Sequence, residues 1–342
     1  MNTTPSYLVT TRGDRLPRDR PIIMVDGTVP GWQPKPGDRH WDHHRPNGAD
    51  IQIDEIPLPQ SDSLLAEQVG LQQTELGIEL LPCFVTTMVD ADACCAAAWI
   101  QLPRAVLTVE TIARLRAIAW DCDHLMVPAD LNSYSEFAAK AGAALKASSE
   151  GIAAELGLPH ERKQWTDEHW EAYSSLAFQR GSEWLIAAAK GERPYPGAQG
   201  EADDYWQQIE ADTQMLLREN RIQFVQTDRG AIAICDVRSL NHSVDPRSFY
   251  EALRSAPSPL RPETLMIRDH RLGGTQYTLG SLPLHPDTPK LDFTQSTFEH
   301  LTQAERAKNP LSDAWGGRRT VGGSAWNTPS GLTVADIIAV LH

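Results

Sequence analysis

The stretch "ELLPCFVTTMVDADACCAAAWIQL" (79–102) passes from a short apolar run through an acidic turn into a series of small residues. A short apolar run that ends at a polar turn is typical of a buried strand. The alanines and cysteines that follow favour a helix, and their small side chains let the helix begin close to the strand end. We therefore predict a strand, a turn that carries Asp90 and Asp92, and a helix over 94–102.

The same design occurs earlier in the chain, where the apolar run of "RPIIMVDGT" (20–28) ends at Asp26 and a glycine. After the predicted helix, "VETIARLRAIAWDCDHLMVP" (109–128) is predicted to form a second helix that runs into another acidic turn. Helical patterns continue over 134–220. Strands that alternate with helices predict an α/β fold with a largely parallel, doubly wound sheet.

The second half of the chain has a different pattern. "RIQFVQTDRGAIAICDVRS" (221–239) predicts a hairpin, 263–282 predicts a second strand pair, and "TVADIIAVLH" at the end predicts a short closing helix. The segment 190–204 contains two prolines and three glycines, which is typical of a linker. We predict a metal-binding α/β domain with a helical extension over 1–192 and a smaller mixed α/β domain over 205–342.

Composition narrows the class of protein. The 342 residues are 41% hydrophobic and 22% charged, which indicates a globular chain of about two domains. The net charge of −14 weighs against generic nucleic-acid binding. No apolar run reaches the roughly 18 residues of a membrane span, and the N-terminal residues lack a secretion signal. Five cysteines without a CxxC pair favour a reducing cytoplasm.

Acidic and imidazole side chains follow the predicted strands. Asp26 ends the first strand, "DRHWDHHRP" (38–46) comes next, and Asp90 and Asp92 end the later strand. Because the carboxyl ends of parallel strands face one crevice, we expect these groups to converge there. Oxygen ligands with one or two histidines suit Mn²⁺ or Mg²⁺, and Zn²⁺ fits less well without thiolates. The alternatives are a polar surface loop at 38–46 and a helix N-cap at Asp92.

These motifs resemble a known family. "VDGT", "DRHWDHHRP" and "VDADACCAAAW" are similar to motifs of the DHH superfamily of metal-dependent phosphoesterases, and are closest to its RecJ-like, exonuclease-type branch. "WGGRRTVGGS" (315–324) resembles the glycine-rich substrate loop of the DHH-associated C-terminal domain. The resemblance covers motifs at both ends of the chain and does not extend through the helical middle.

The resemblance implies roles for individual residues. The implied metal ligands are Asp26, His43, Asp90 and Asp92, completed by Asp121 or Asp123. The implied catalytic residues are His44, which would face the scissile phosphate, and Asp42, which would orient an imidazole. The implied substrate-binding residues are Gly316, Gly317, Arg318, Arg319, Gly322 and Gly323. The implied cofactor is Mn²⁺ or Mg²⁺.

Two departures from the family pattern affect this assignment. The family places a histidine four residues before the first aspartate of D-x-D, and this chain has Thr86 there. The site could then use one metal, take a ligand from His40 or His124, or have lost catalysis. The D-x-D motif also follows the DHH motif here, whereas it precedes it in the family. That order indicates either a permuted arrangement of strands or a different acidic pair.

The resemblance and the charge together predict a function. We expect hydrolysis of a phosphodiester or phosphoanhydride in a small nucleotide-like substrate or a short oligonucleotide, without long duplex or membrane partners. One alternative is a catalytically degenerate member that binds a phosphorylated ligand. Another is metal-dependent amide or ester hydrolysis, which a single bound Zn²⁺ would favour. Assembly as a homodimer is left open.

Overall fold

The structure is a computed structural model that describes residues 5–41, 56, 58, 81–125, 127–253, 260–270, 272–282, 291–317, 319–325 and 328–341. Its internal contacts divide the chain into two compact units, Met1–Asp204 and Tyr205–His342. Each unit has its own sheet and its own hydrophobic core. Asp42, His43, His44 and Arg318 lie outside the described residues, so the roles predicted for them stay predictions.

The first unit contains a four-stranded sheet in which all neighbouring strands are parallel. Its strands are β1 (Ser6–Val9), β2 (Ile22–Val25), β3 (Arg39–Trp41) and β4 (Cys83–Thr86), arranged in the order β1-β4-β2-β3. The α/β class and the parallel sheet predicted from the sequence are confirmed. β3 was not predicted, because its three residues lie within a polar segment that the sequence presents as a loop.

Five α-helices of this unit are described. They are α1 (Ala91–Gln101), α2 (Val109–His124), α3 (Ser135–Ala147), α4 (Ile152–Glu155) and α5 (Asp167–Ala189). No helix among the described residues is long and apolar enough to cross a membrane.

The two faces of the parallel sheet are covered differently. On one face, the ring of Tyr7 stacks on Phe84 and meets Phe178 of α5 edge to face, with ring centroids 5.2 Å apart in the second pair. The opposite face packs against apolar side chains of the loops that flank β2. That second cluster contains Leu8, Leu16, Ile22, Met24, Val29, Trp32, Cys83 and Val85.

The small residues of α1 allow close packing, as the sequence predicts. Every residue from Ala91 to Ile100 is buried. α5 approaches so closely that a Cβ added at Gly181 would lie 2.6 Å from the Cys94 sulfur. Burial raises the pKa values of Cys94 and Cys95 above the usual thiol range, so both remain protonated packing groups.

The second unit contains a six-stranded mixed sheet. Its strands are β5 (Ile222–Thr227), β6 (Gly230–Asp236), β7 (Leu260–Asp269), β8 (Thr275–Ser281), β9 (Gly316–Gly317) and β10 (Val321–Gly323), arranged in the order β5-β6-β7-β8-β10-β9. Only the β6–β7 pair among these is parallel. The predicted hairpin at 221–239 and the strand pair at 263–282 are confirmed.

Four helices accompany this sheet and cover its two faces. They are α6 (Asp203–Arg218), which begins at the boundary between the units, α7 (Pro246–Leu253), α8 (Thr297–Lys308) and α9 (Val334–Leu341). Side chains of α8 and α9 share one core with the sheet, and side chains of α6 and α7 share the other. The closing helix predicted at the end of the chain is α9.

Candidate metal-binding site

The carboxyl ends of β2 and β4 are linked by Thr86. Its hydroxyl has a single proton, which is shared between the carbonyl oxygens of Asp26, at 3.1 Å, and Met88, at 3.0 Å. Thr86 is fully buried. The side chain at the position where the family has a histidine therefore joins two strand ends, and its oxygen is engaged with the backbone.

Asp26 lies at this edge in an unusual backbone conformation. Its φ angle is +46°, in the left-handed region that aspartate adopts more readily than most residues, and its side chain is buried. The Asp26 N–H donates to the carbonyl oxygen of Trp41 at the end of β3, at 2.9 Å. A Cβ added at Gly27 would overlap the Thr87 hydroxyl, so only glycine fits there. The ends of three neighbouring strands thus meet around Asp26.

The next element along the chain begins at Asp90. The Asp90 carboxylate accepts a hydrogen bond from the N–H of Ala93, at 2.9 Å, and so caps the N-terminus of α1. From the sequence, N-capping by Asp92 is the alternative to a ligand role. Asp90 takes the capping role because its backbone is extended, whereas Asp92 already lies inside the first turn of the helix. The Asp92 side chain is also buried.

α2 returns along α1, so its last turn lies beside the first turn of α1. As a result, ligand-type atoms of Asp90, Cys122 and Asp123 all lie within 4.8 Å of one another. Among the described residues, this is the only group of three or more such side chains at that spacing. Two of the three residues were predicted as ligands from the sequence.

Cys122 is the member that the sequence did not predict. It lies between two aspartates in "WDCDH", where the sequence pattern points to the carboxylates and to His124. Desolvation raises the pKa of the Cys122 thiol well above its usual value, and the negative charges of Asp90, Asp123 and Asp92 raise it further. The thiol therefore carries its proton at neutral pH unless a cation displaces it.

The charges around this group favour a cation. Asp121 and Asp123 lie in the last turn of α2, where the partial negative charge of the helix end opposes carboxylates. Asp121 is buried, and Asp123 lies within reach of Asp90. A divalent ion would offset this accumulation of negative charge, and carboxylate and thiolate groups are ordinary ligands for such ions.

The two histidines considered as replacement ligands have other surroundings. The Nε2 of His40 lies 2.8 Å from the hydroxyl of Thr28, and its ring meets Trp32 edge to face. The His124 ring packs on Trp120, with centroids 4.8 Å apart. Neither imidazole belongs to the group formed by Asp90, Cys122 and Asp123.

The glycine-rich segment of the second unit forms an antiparallel ribbon of β9 and β10. At three of its glycines, a larger side chain would clash with neighbouring atoms of the same unit. A Cβ added at Gly317 would overlap Gly322, one at Gly322 would overlap the Phe298 ring, and one at Gly323 would overlap the Tyr277 carbonyl oxygen. Gly316 alone among the four has open space at that position.

Arg319 of the same segment interacts with its own unit. Its guanidinium lies 3.4 Å from the Asp292 carboxylate, and its carbonyl oxygen accepts a hydrogen bond from the N–H of Phe293, at 2.8 Å. The role in substrate binding that the sequence predicts for this segment stays a prediction. Close packing alone explains why three of the four positions are glycine, so a bound ligand is not needed to explain them.

Neither a protein-family model nor a curated protein matches this chain.

Proposed function

We propose that this chain is a metal-dependent phosphoric-ester hydrolase. Its substrate would be a phosphodiester or phosphoanhydride in a small nucleotide-like molecule or a short oligonucleotide. The observation that supports this proposal is the group of Asp90, Cys122 and Asp123, beside the edge where the carboxyl ends of parallel strands meet. Ligands of open α/β sheets bind at such an edge. A divalent cation held there would activate water for attack on phosphorus.

The donor set indicates which ions fit. The carboxylates of Asp90 and Asp123 suit Mn²⁺ or Mg²⁺, and the Cys122 sulfur adds affinity for softer ions such as Zn²⁺. Mn²⁺ accepts both oxygen and sulfur more readily than Mg²⁺ does, so we propose Mn²⁺ as the working ion. Asp90 also keeps its capping bond to α1, which fixes its carboxylate in place for either role.

A second candidate function is binding without turnover. Thr86 favours it, because the hydroxyl at this position is engaged by two backbone carbonyls and the family's histidine is replaced. A protein that has lost one metal ligand in this way could retain a phosphorylated ligand and lose hydrolysis. The two candidates share the cation and differ only in the chemistry that follows.

The free thiols and the acidic charge support a proposal for the compartment and for the size of the substrate. All five cysteines are free thiols, and we propose the cytoplasm as the compartment. The acidic net charge supports a nucleotide-sized substrate over long duplex nucleic acid.

One set of measurements separates these functions. The purified full-length chain is analysed for bound metal and then assayed with Mn²⁺, Mg²⁺ or Zn²⁺ on bis-p-nitrophenyl phosphate and on short oligonucleotides. We expect Mn²⁺-dependent hydrolysis that Asp123→Asn reduces by at least about 100-fold. Glu150→Gln, a matched change at an exposed carboxylate of the same unit, should leave the rate unchanged.

Other outcomes would overturn the hydrolase. Absence of hydrolysis with all three metals, together with a rise in melting temperature when nucleotides are added, would establish binding without turnover. A single bound Zn²⁺ together with esterase or amidase activity would favour metal-dependent amide or ester hydrolysis instead.

A further inference from the structure

The second unit has an edge strand that is open to pairing. β5 forms one end of the six-stranded sheet and pairs with β6 on one side. Within the described part of the chain, no strand pairs with its other side. Gln223 and Gln226 are exposed, and the other four residues of β5 are half-buried.

The hydrogen-bonding pattern fixes which backbone groups of β5 face outward. The carbonyl oxygen of Arg221 accepts from the N–H of Asp236, at 3.0 Å, and the β5–β6 hairpin closes at Thr227 and Gly230 through a two-residue turn. Backbone groups alternate in direction along an antiparallel strand, so the odd-numbered residues of β5 bond to β6. The N–H and C=O groups of Ile222, Phe224 and Gln226 therefore point away from the sheet.

The usual protections of an edge strand are missing from β5. Proteins block such edges with charged residues, prolines or bulges. The sequence "IQFVQT" of β5 contains no charge and no proline, and its register with β6 is continuous over all six residues. An edge of this kind is a template for another strand.

The charge of this edge indicates which strand it accepts. The chain carries a net charge of −14, so two copies repel each other over most of their surface. The segment from Glu219 to Arg229 is neutral, because Arg221 and Arg229 balance Glu219 and Asp228. Two copies meet with least repulsion where both are neutral.

We propose that two copies of this chain pair antiparallel through β5, forming one continuous sheet across a two-fold axis at Phe224. Outward-facing residues must lie opposite one another, which places Phe224 opposite its equivalent and Ile222 opposite Gln226 of the second copy. Glu219 and Arg229, which have opposite charges, lie at the same end of the pair in this register. The central pair of phenylalanines adds aromatic contact between the strands. This assembly is independent of the proposed hydrolase activity.

The test compares two changes at one exposed position. Gln226→Pro removes an outward N–H and leaves the odd-numbered bonds to β6 in place, whereas Gln226→Ala retains that N–H. Light scattering on size-exclusion fractions should give twice the chain mass of 37.9 kDa, about 76 kDa, for the wild-type protein and for Gln226→Ala. It should give 37.9 kDa for Gln226→Pro. A monomeric wild-type protein across a dilution series, or a dimeric Gln226→Pro, would overturn the proposal.

Hydrogen exchange on the wild-type protein tests the same pairing without a substitution. The amides of Ile222, Phe224 and Gln226 should exchange more slowly as the protein concentration rises. The amides of Gln223 and Val225 bond to β6 in both states, and they should exchange at a constant rate. Equal behaviour of the two sets at every concentration would exclude pairing through β5.

Discussion

Thr86 determines whether the metal ligand that the resemblance implies at this position can exist in this chain. The family that the motifs resemble has a histidine at this position, whereas the single hydroxyl proton of Thr86 is shared in hydrogen bonds to two backbone carbonyl oxygens. Those bonds connect the ends of β2 and β4, which are the strands that position Asp26 and lead to Asp90. The residue therefore connects the strand ends at this edge of the sheet.

Replacing the Thr86 hydroxyl with a methyl group should destabilise the fold. Thr86→Val keeps the shape of the side chain and removes the proton that the two carbonyl oxygens share, of which the Asp26 oxygen is buried, and we expect a loss of about 1–3 kcal/mol in the free energy of unfolding. Urea unfolding measures this change. Thr86→Ser retains the hydroxyl and serves as the control. Equal stability of Thr86→Val and the wild-type protein would show that the link between β2 and β4 is not important.

At the proposed metal site, Cys122 would make metal binding dependent on pH. Because its pKa is raised, the thiol is protonated at neutral pH, and a metal that binds sulfur must displace that proton. Metal affinity should therefore rise with pH, by about tenfold per pH unit for each proton released. Cys122→Ser removes this thiol, so the slope should fall by about one proton. Competition titration with Mn²⁺ or Co²⁺ across the neutral range measures both slopes. An unchanged slope in Cys122→Ser would show that the sulfur is not a ligand.

At the scale of elements, the sequence predicts the strands and helices that have a strong local pattern. It misses those that form only because a neighbouring strand or helix packs against them. β2, β4 and α1 follow from an apolar run, an acidic turn and a series of small residues. β3 contains only Arg39, His40 and Trp41, and it exists because β2 offers a parallel partner. The approach of Cys122 to Asp90 depends in the same way on the packing of α1 against α2, which no local pattern contains.

Two substitutions at Asp90 should separate capping from metal binding. Asparagine caps a helix about as well as aspartate, so Asp90→Asn should unfold at nearly the wild-type urea concentration. Asp90→Ala loses the bond to Ala93 and should cost about 1 kcal/mol. Both variants lose a charged ligand and should bind less Mn²⁺ in an equilibrium titration. Full metal affinity in Asp90→Asn would remove Asp90 from the site.

The glycine ribbon of β9 and β10 allows a similar comparison. Gly323→Ala would place a methyl group against the Tyr277 carbonyl oxygen, and we expect it to destabilise the protein by about 1–3 kcal/mol. Gly316→Ala has open space and should leave the melting temperature almost unchanged. If Gly316→Ala instead weakened nucleotide binding at unchanged stability, the ribbon would bind substrate as the sequence predicts.

At the scale of the whole molecule, each of the two units has its own hydrophobic core, and the candidate sites are distributed between them. The candidate metal ligands Asp90, Cys122 and Asp123 belong to the first unit, and the glycine ribbon and the β5 edge belong to the second. Each unit also has separate hydrophobic clusters, built from its own helices and strands. The pattern of the sequence indicates two domains because a segment rich in proline and glycine, 190–204, separates them and strands follow from 221. The grouping of the three candidate ligands within one unit depends on the packing of its helices, which the sequence pattern does not contain.

This division predicts that the units fold separately and retain separate properties. The segment 203–342 begins at the start of α6 and contains both clusters of the mixed sheet, so we expect cooperative urea unfolding without any dependence on Mn²⁺. In the full-length chain, Mn²⁺ should raise the midpoint of the transition that belongs to the first unit by mass action, because the ion binds only its folded state. Tryptophan fluorescence follows both proteins, and the full-length chain with a chelator is the control. A Mn²⁺-dependent rise in the stability of 203–342 would place a metal site in the second unit, and failure of that segment to fold would show that its core requires the first.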